Sequence, residues 1–397
     1  MNFVKGLKCK ECGERYEASL RFYCDECFGP VELKFDLAGA VEALGRGSVD
    51  VFSSLSLLPE GFKAGSTPLV RAERLGKRLG IQNLYLKDEG ASMLSHSFKD
   101  RVVASALGMA KSLGIKTIAA ASTGNLANAL AVQAVDAGMD AVIFVPEGTD
   151  YGKIAQAVAS GCRIFEVAGN YDDANRLCSE VQEALGWAVV NGNLKPYYLE
   201  GAKSLLFEIM ALMEDMPPSA IVAPMGGGGL MRMLKKGLDE LKAMGMLKEE
   251  TALYGAQAAG CSPIVSAVKA GTEDISPVKP DTAIGAIAIG DPPDGAYAAR
   301  AIMESGGKAE AVLDADAMEM LEFLREDEGI STGGAGAVAL AAAASFVKSG
   351  DIAGDTPVVV ILTDGQSKAA REQARPGNVS KIEANLAAFR AIWEENT

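Results

Sequence analysis

The 397-residue chain contains one histidine, His96. That scarcity removes support from Ser-His-Asp triads, multi-histidine metal sites and most histidine-based acid/base schemes, so any chemistry has to come from other side chains. Cations are outnumbered. Thirty-eight Lys and Arg against 52 Asp and Glu leave a formal charge of -14, which repels a phosphate backbone and gives no electrostatic footprint for nucleic acid. Basic residues are not interleaved with aromatics as in a single-strand binder. No uninterrupted apolar run approaches the roughly 20 residues of a bilayer helix, and residues 1–10 lack the apolar stretch of a signal peptide. The expectation is a cytoplasmic protein with neither membrane nor nucleic-acid partner.

What is present is ample apolar material, 49% of the chain, enough for two packed α/β domains and a small appendage. Seven cysteines include two CxxC pairs, Cys9/Cys12 and Cys24/Cys27. Each CxxC turn presents two thiolates, and four thiolates suit tetrahedral zinc. Four protein ligands leave no open coordination position, so a zinc here is structural. A degenerate remnant or a disulfide pair is the competing reading. Cys162, Cys178 and Cys261 stand singly and read as core residues.

Residues 1–35 form the cysteine-bearing module. A polar, weakly periodic stretch to Ser66 reads as linker plus one short helix. Beyond it, short runs rich in Val and Ile recur at 84–87, 117–121, 141–145, 163–167, 188–190, 220–223, 253–256 and 357–362. Helical patterns follow them at 100–113, 126–137, 153–160, 171–184, 201–212, 230–243 and 315–326. That alternation predicts an α/β protein with parallel or mostly parallel sheets covered by helices. The tail after Pro376 reads as a surface helix.

Glycine-bearing turns fall where strand-like runs end, and in open α/β sheets ligands gather at the carboxyl ends of strands. Gly226, Gly227, Gly228 and Gly229 lie between an apolar strand and a helix, where successive amides converge on a phosphate without side chains intruding. The turn lacks the Lys and Ser/Thr of a Walker loop, and close helix packing is its plainer explanation. Ser122-Thr123-Gly124-Asn125 and Thr363-Asp364-Gly365 offer small polar groups at two further strand ends. Lys99 opens a helix within Ser95-His-Ser-Phe-Lys-Asp-Arg101. A lysine in a polar turn is ordinarily a solvated surface group, yet an amine at the edge of a cleft can form an imine with an aldehyde cofactor.

These segments together carry a resemblance. The cysteine-rich module with Cys24-Asp-Glu-Cys-Phe-Gly29, Ser66-Thr-Pro-Leu69, Lys87-Asp88, Ser97-Phe-Lys-Asp-Arg101, Ala121-Ser-Thr-Gly-Asn125, Gly169-Asn-Tyr-Asp172, the four glycines and Gly260-Cys-Ser-Pro263 follow one another at family-like spacing. Nearly the whole chain resembles the threonine synthases, within the fold-type II pyridoxal-phosphate enzymes that include threonine dehydratase and cysteine synthase. The resemblance implies a tryptophan synthase β-like fold: a large cofactor-binding domain from 50–90 and 195–380, and a small α/β domain, 91–194, inserted in it. It implies Lys99 as the lysine bound to pyridoxal phosphate, Asn125 beside the cofactor's phenolic oxygen, Gly226 to Gly229 around its phosphate and Thr363 near its ring nitrogen. The implied reaction converts O-phospho-L-homoserine and water to L-threonine and phosphate, Lys99 shuttling protons. Ser122, Thr123, Arg101 and Lys195 are the expected substrate contacts, and a homodimer is the expectation by analogy.

The chain departs from the pattern in three places. Met93-Leu94-Ser95 stands where Asn-Pro-Thr is usual, Leu126 replaces a hydroxyl, and Asp364 replaces the first glycine of Thr-Gly-x-Gly-Leu-Lys. Two alternatives stay open: a paralogue performing β-elimination or β-replacement on serine, phosphoserine or threonine, and a non-catalytic amino-acid-binding paralogue.

Overall fold

The computed structural model describes residues 3–46, 51–60, 66–365 and 378–395. The cysteine module is a small antiparallel sheet of β1 (Val4–Cys9), β2 (Arg15–Tyr16) and β3 (Val31–Phe35), in the order β2-β1-β3. The linker holds two short helices rather than one, Leu37–Gly45 and Val51–Leu55. Val51 and Leu55 are buried against the body, which gives so short a helix the tertiary packing it needs.

A six-stranded sheet contains β4 (Leu69–Arg71), β5 (Asn83–Asp88), β10 (Ala220–Pro224), β11 (Ala252–Ala258), β12 (Ala309–Val312) and β13 (Pro357–Leu362). Its order is β12-β11-β10-β13-β5-β4, parallel except for the antiparallel edge strand β4. A five-stranded parallel sheet, β14-β8-β7-β6-β9, contains β6 (Thr117–Ala121), β7 (Asp140–Pro146), β8 (Arg163–Val167), β9 (Ala188–Val189) and β14 (Val379–Ile382). Helices cover both sheets, so central strands such as β13 are continuous apolar runs.

Two elements differ from the sequence expectation. Residues 366–377, including the end of the Thr363 motif, lie outside the described residues. The start of the tail, expected as a surface helix, instead pairs as β14 with β8 in the five-stranded sheet. The tail helix, Leu386–Glu395, is present but docked. Phe389 is fully buried, its ring 4.9 Å from that of Phe165 and 5.7 Å from Trp187. Leu386, Phe389, Ile392 and Trp393 recur at the three- and four-residue spacing of one helical face, and that stripe finds the sheet. Among the described residues, no helix is long and apolar enough to cross a membrane.

In the larger sheet β10, β13 and β5 are neighbours. Their carboxyl ends, at Pro224, Leu362 and Asp88, therefore open side by side, and the four-glycine turn, the Thr363 turn and the loop leading to Lys99 issue from them.

Candidate active site

The loop from β5 to the helix Lys99–Ser112 is tied at both ends. Asp100 is fully buried and its carboxylate accepts from the Ser95 amide at 2.9 Å and from the Ser92 hydroxyl, folding the loop back on the helix start. Burial pushes that carboxyl above its ordinary range, and these hydrogen bonds oppose the shift. His96 takes a positive φ of 57°, and its carbonyl accepts the Gly365 amide at 2.9 Å. A side chain in this left-handed region costs on the order of 1 kcal/mol, offset by the docking. The Phe98 amide donates to the Thr363 carbonyl at 2.9 Å, and Ser97 pairs with Asp364 as an antiparallel bridge. The lysine loop is thus stitched to the end of β13.

Lys99 itself is half-buried. Its Nζ lies 2.9 Å from the Tyr198 hydroxyl and 4.6 Å from the centre of the Phe98 ring. Tyr198 was not among the sequence expectations; one tyrosine beside another in an apolar helix start gives no signal until the fold brings it across to Lys99.

On the far side of β13, β10 ends in the glycine turn. Gly228 has φ +88°, and a Cβ there would meet the Asp294 backbone at 2.7 Å. At Gly229, the first residue of the helix Gly229–Ala243, a Cβ would meet the Leu199 side chain at 2.8 Å. Gly228 admits no side chain, and the turn feeds bare backbone amides into the start of a fifteen-residue helix, where the dipole favours an anion. Leu199 follows Tyr198, which joins this turn to the Lys99 contact.

From the other sheet, β6 ends in Ser122–Asn125. Asn125 begins the helix Asn125–Ala137 and its Nδ2 donates to Asp364 at 3.0 Å. Ser122 and Thr123 are half-exposed beside it. Thr363 is 8% exposed.

Two expected substrate contacts are placed differently. Arg101 is 1% exposed, with Nε 2.7 Å from Glu89 and Nη2 2.6 Å from Glu208. Two residues along a helix is a rotation of about 200°, so Arg101 faces away from Lys99 into the interior, and its sequence-expected substrate role does not survive. Lys195 is paired with Asp294 at 3.0 Å, and the Asp294 amide donates to the Gly227 carbonyl at 2.9 Å. Lys195 therefore stands at the glycine turn with its charge engaged.

Residues 62–364 match the family model described as pyridoxal-phosphate dependent enzyme. The chain belongs to that family. It is 36% identical over 372 residues to a threonine synthase of Methanosarcina acetivorans, covering 90% of each chain. It is 33% identical to one of Methanocaldococcus jannaschii, covering 98% of this chain and 99% of that one. Among solved structures, threonine deaminase isoform 2 from Solanum lycopersicum superposes with a TM-score of 0.67 at 21% identity, covering 82% of this chain and 92% of that one. That likeness shows the fold, a fold-type II pyridoxal-phosphate enzyme fold.

The site suits the family's cofactor. A glycine turn rich in bare amides fits a phosphate, and a half-exposed lysine whose neighbour Phe98 is hydrogen-bonded to the end of β13 fits an aldehyde. In the ribbon, Cys9 Sγ is 3.5 Å from Cys27 Sγ, Cys12 Sγ is 3.5 Å from Cys24 Sγ, and all four lie within 4.8 Å of one another. A tetrahedron with Zn–S near 2.3 Å has edges of about 3.8 Å, so the thiols suit zinc. Cys162, Cys178 and Cys261 are free and buried.

Proposed function

We propose that the chain is a threonine synthase, converting O-phospho-L-homoserine and water to L-threonine and phosphate. The observation that carries this reading is the convergence on Lys99 of the β10 glycine turn, the β6 Ser122–Asn125 turn and the β13 end, in a chain whose relatives at 33–36% identity over nearly their full length are threonine synthases. Pyridoxal phosphate, when bound, supplies the electron sink for a substrate carbanion.

The chain's own residues do the rest. Gly226 to Gly229 bind and orient the cofactor phosphate with backbone amides, Asn125 holds its phenolic oxygen, and Thr363 sits at its ring nitrogen. Lys99 would hold the cofactor through Nζ, and once the substrate's own amine has displaced it, Nζ would take the α-proton and move protons at the β-carbon as phosphate leaves the γ-carbon and water adds at the β-carbon. Tyr198, in hydrogen-bond reach of Nζ, orients that amine. Ser122 and Thr123 receive the substrate carboxylate, and Lys195 adds positive charge on the phosphate side. The same reading gives a zinc-ribbon-like module at 1–35, a large unit from 50–90 and 195–380, an inserted unit at 91–194, a cytoplasmic location and a homodimer.

The test is to load the purified protein with pyridoxal phosphate, record its visible absorbance, and assay threonine and phosphate released from phosphohomoserine, with Lys99→Ala alongside. A visible band and turnover, both lost in Lys99→Ala, are expected. A band without turnover transfers the protein to β-elimination or β-replacement chemistry; no band removes the enzyme reading.

We assign a structural zinc to Cys9, Cys12, Cys24 and Cys27. Atomic emission on metal-replete protein is expected to give one zinc per chain, lost in Cys9→Ser/Cys27→Ser. Four titratable thiols and no zinc in the replete parent would remove the assignment.

A further inference from the structure

Asp364 stands where the resembling family usually has glycine, and its surroundings are unusually specific. Its backbone is held from two directions: Ser97 pairs with it as a bridge, while its carbonyl accepts from the Gly333 amide at 3.0 Å and the Thr332 hydroxyl at 2.8 Å. Room for the side chain exists because residue 333 is glycine; a Cβ there would lie 2.6 Å from Oδ1 and 2.7 Å from Oδ2. Among the described residues the carboxylate thereby reaches Asn125 and Thr363. Oδ2 accepts from Asn125 Nδ2 at 3.0 Å, across the gap between the five-stranded and six-stranded sheets, and Oδ1 lies 3.5 Å from the Thr363 hydroxyl.

We propose that Asp364 is a positioning residue that sets the hydrogen-bond polarity of both groups facing the cofactor ring. The proposal rests on the cofactor reading above. A carboxylate only accepts, so Asn125 must turn its amide nitrogen, and not its oxygen, toward Asp364. The second Nδ2 hydrogen is then held ready for the cofactor's phenolic oxygen. By the same logic the Thr363 hydroxyl gives its hydrogen to Oδ1 and keeps its lone pairs for the ring nitrogen, which favours the protonated, more electron-withdrawing ring. Glycine at 364 would leave the Asn125 amide and the Thr363 hydroxyl free to turn. The link also fastens the helix that begins at Asn125 to the end of β13 through a charged hydrogen bond.

Two variants separate orientation from charge. Asp364→Gly removes both contacts. Asp364→Asn keeps the shape and an oxygen that accepts from Asn125 but removes the charge. Affinity for pyridoxal phosphate is measured by absorbance titration of apoprotein, and the ratio of visible to near-ultraviolet absorbance is read on saturated protein. Asp364→Gly is expected to weaken cofactor binding about tenfold, the worth of one good hydrogen bond, and to shift absorbance toward the near-ultraviolet. Asp364→Asn is expected to bind within about threefold of the parent, yet to share the spectral shift. Parent-like spectra in Asp364→Asn, or parent-like affinity in Asp364→Gly, overturn the proposal. A parent that itself binds no cofactor overturns the cofactor reading instead.

Discussion

Lys99 and Arg101 lie two residues apart on one helix and live in opposite worlds. Around Arg101 every polar group is engaged. Its guanidinium bonds Glu89, Glu208, Thr67 and Ser204, and the fully buried Lys87 shares Thr67 and Glu208 with it. Burial lowers the pKa of Lys87 against the pull of Glu89 and Glu208, and it raises Glu89, where Arg101 prevails and the carboxyl is held below its usual range. On the Lys99 side Lys99, Ser122, Thr123 and Asn125 are half-exposed, and the amine has the buried Tyr198 hydroxyl beside it and no carboxylate ion pair among the described residues. Saturated polar clusters fix geometry; a lysine without a carboxylate partner keeps its amine uncommitted and open to a ligand. The buried cluster also explains why the cleft can be so lightly tied, since it anchors the first turn of the helix that presents Lys99.

The sharpest way to break this contrast is to exchange the consequences. Arg101→Met leaves the buried Glu89 and the part-buried Glu208 to share Lys87 alone among the described cations, and removing one partner of such a cluster costs about 3–5 kcal/mol. The urea midpoint should fall accordingly. Lys99→Ala should leave stability of the apoprotein within about 1 kcal/mol while removing the visible band. If Arg101→Met instead unfolded like the parent and raised only KM for phosphohomoserine, Arg101 would regain the substrate role that its burial denies.

The same contrast marks what could be read from the sequence. Strands 117–121, 163–167 and 357–362 fall where their Val, Ile and Ala runs predict, because a strand buried on both faces has no alternation to hide. The helix Gly334–Lys348 escaped notice for the related reason: it is alanine-rich and largely buried, so it carries no amphipathic stripe. In the site, Lys99 and the glycine turn were legible because their motifs are local. The partners that define them were not. Tyr198 reaches Lys99 across 99 residues of chain and Asp364 reaches Asn125 across 239, and Arg101 was misread because a charge beside a motif says nothing about the direction in which a helix points it.

A second cluster of charged groups lies where the cysteine module meets the body, and it offers a smaller and subtler test. Glu32 on β3 pairs with Lys34 at 2.7 Å and faces Lys10 and Arg232, while Lys236 bonds Glu200 and the Leu33 carbonyl. Burial alone would raise Glu32, but Lys236, Lys10 and the Lys34 hydrogen bond outweigh it and hold the carboxyl at about 2. A depressed folded pKa contributes stability that is complete above the unfolded value of about 4.3 and is lost as pH falls through that value toward about 2. With Lys34 exposed and screening the pair, about 1–2 kcal/mol is a fair expectation. Other carboxylates, Glu89 among them, titrate in the same window, so the measurement is a difference: urea midpoints of the parent and Glu32→Gln between about pH 6 and about pH 3. The gap between them should be widest at the upper end and close on acidification. A gap that stays constant with pH would mean that Glu32 contributes by shape and not by charge, and the ribbon would then join the lightly tied side of the comparison.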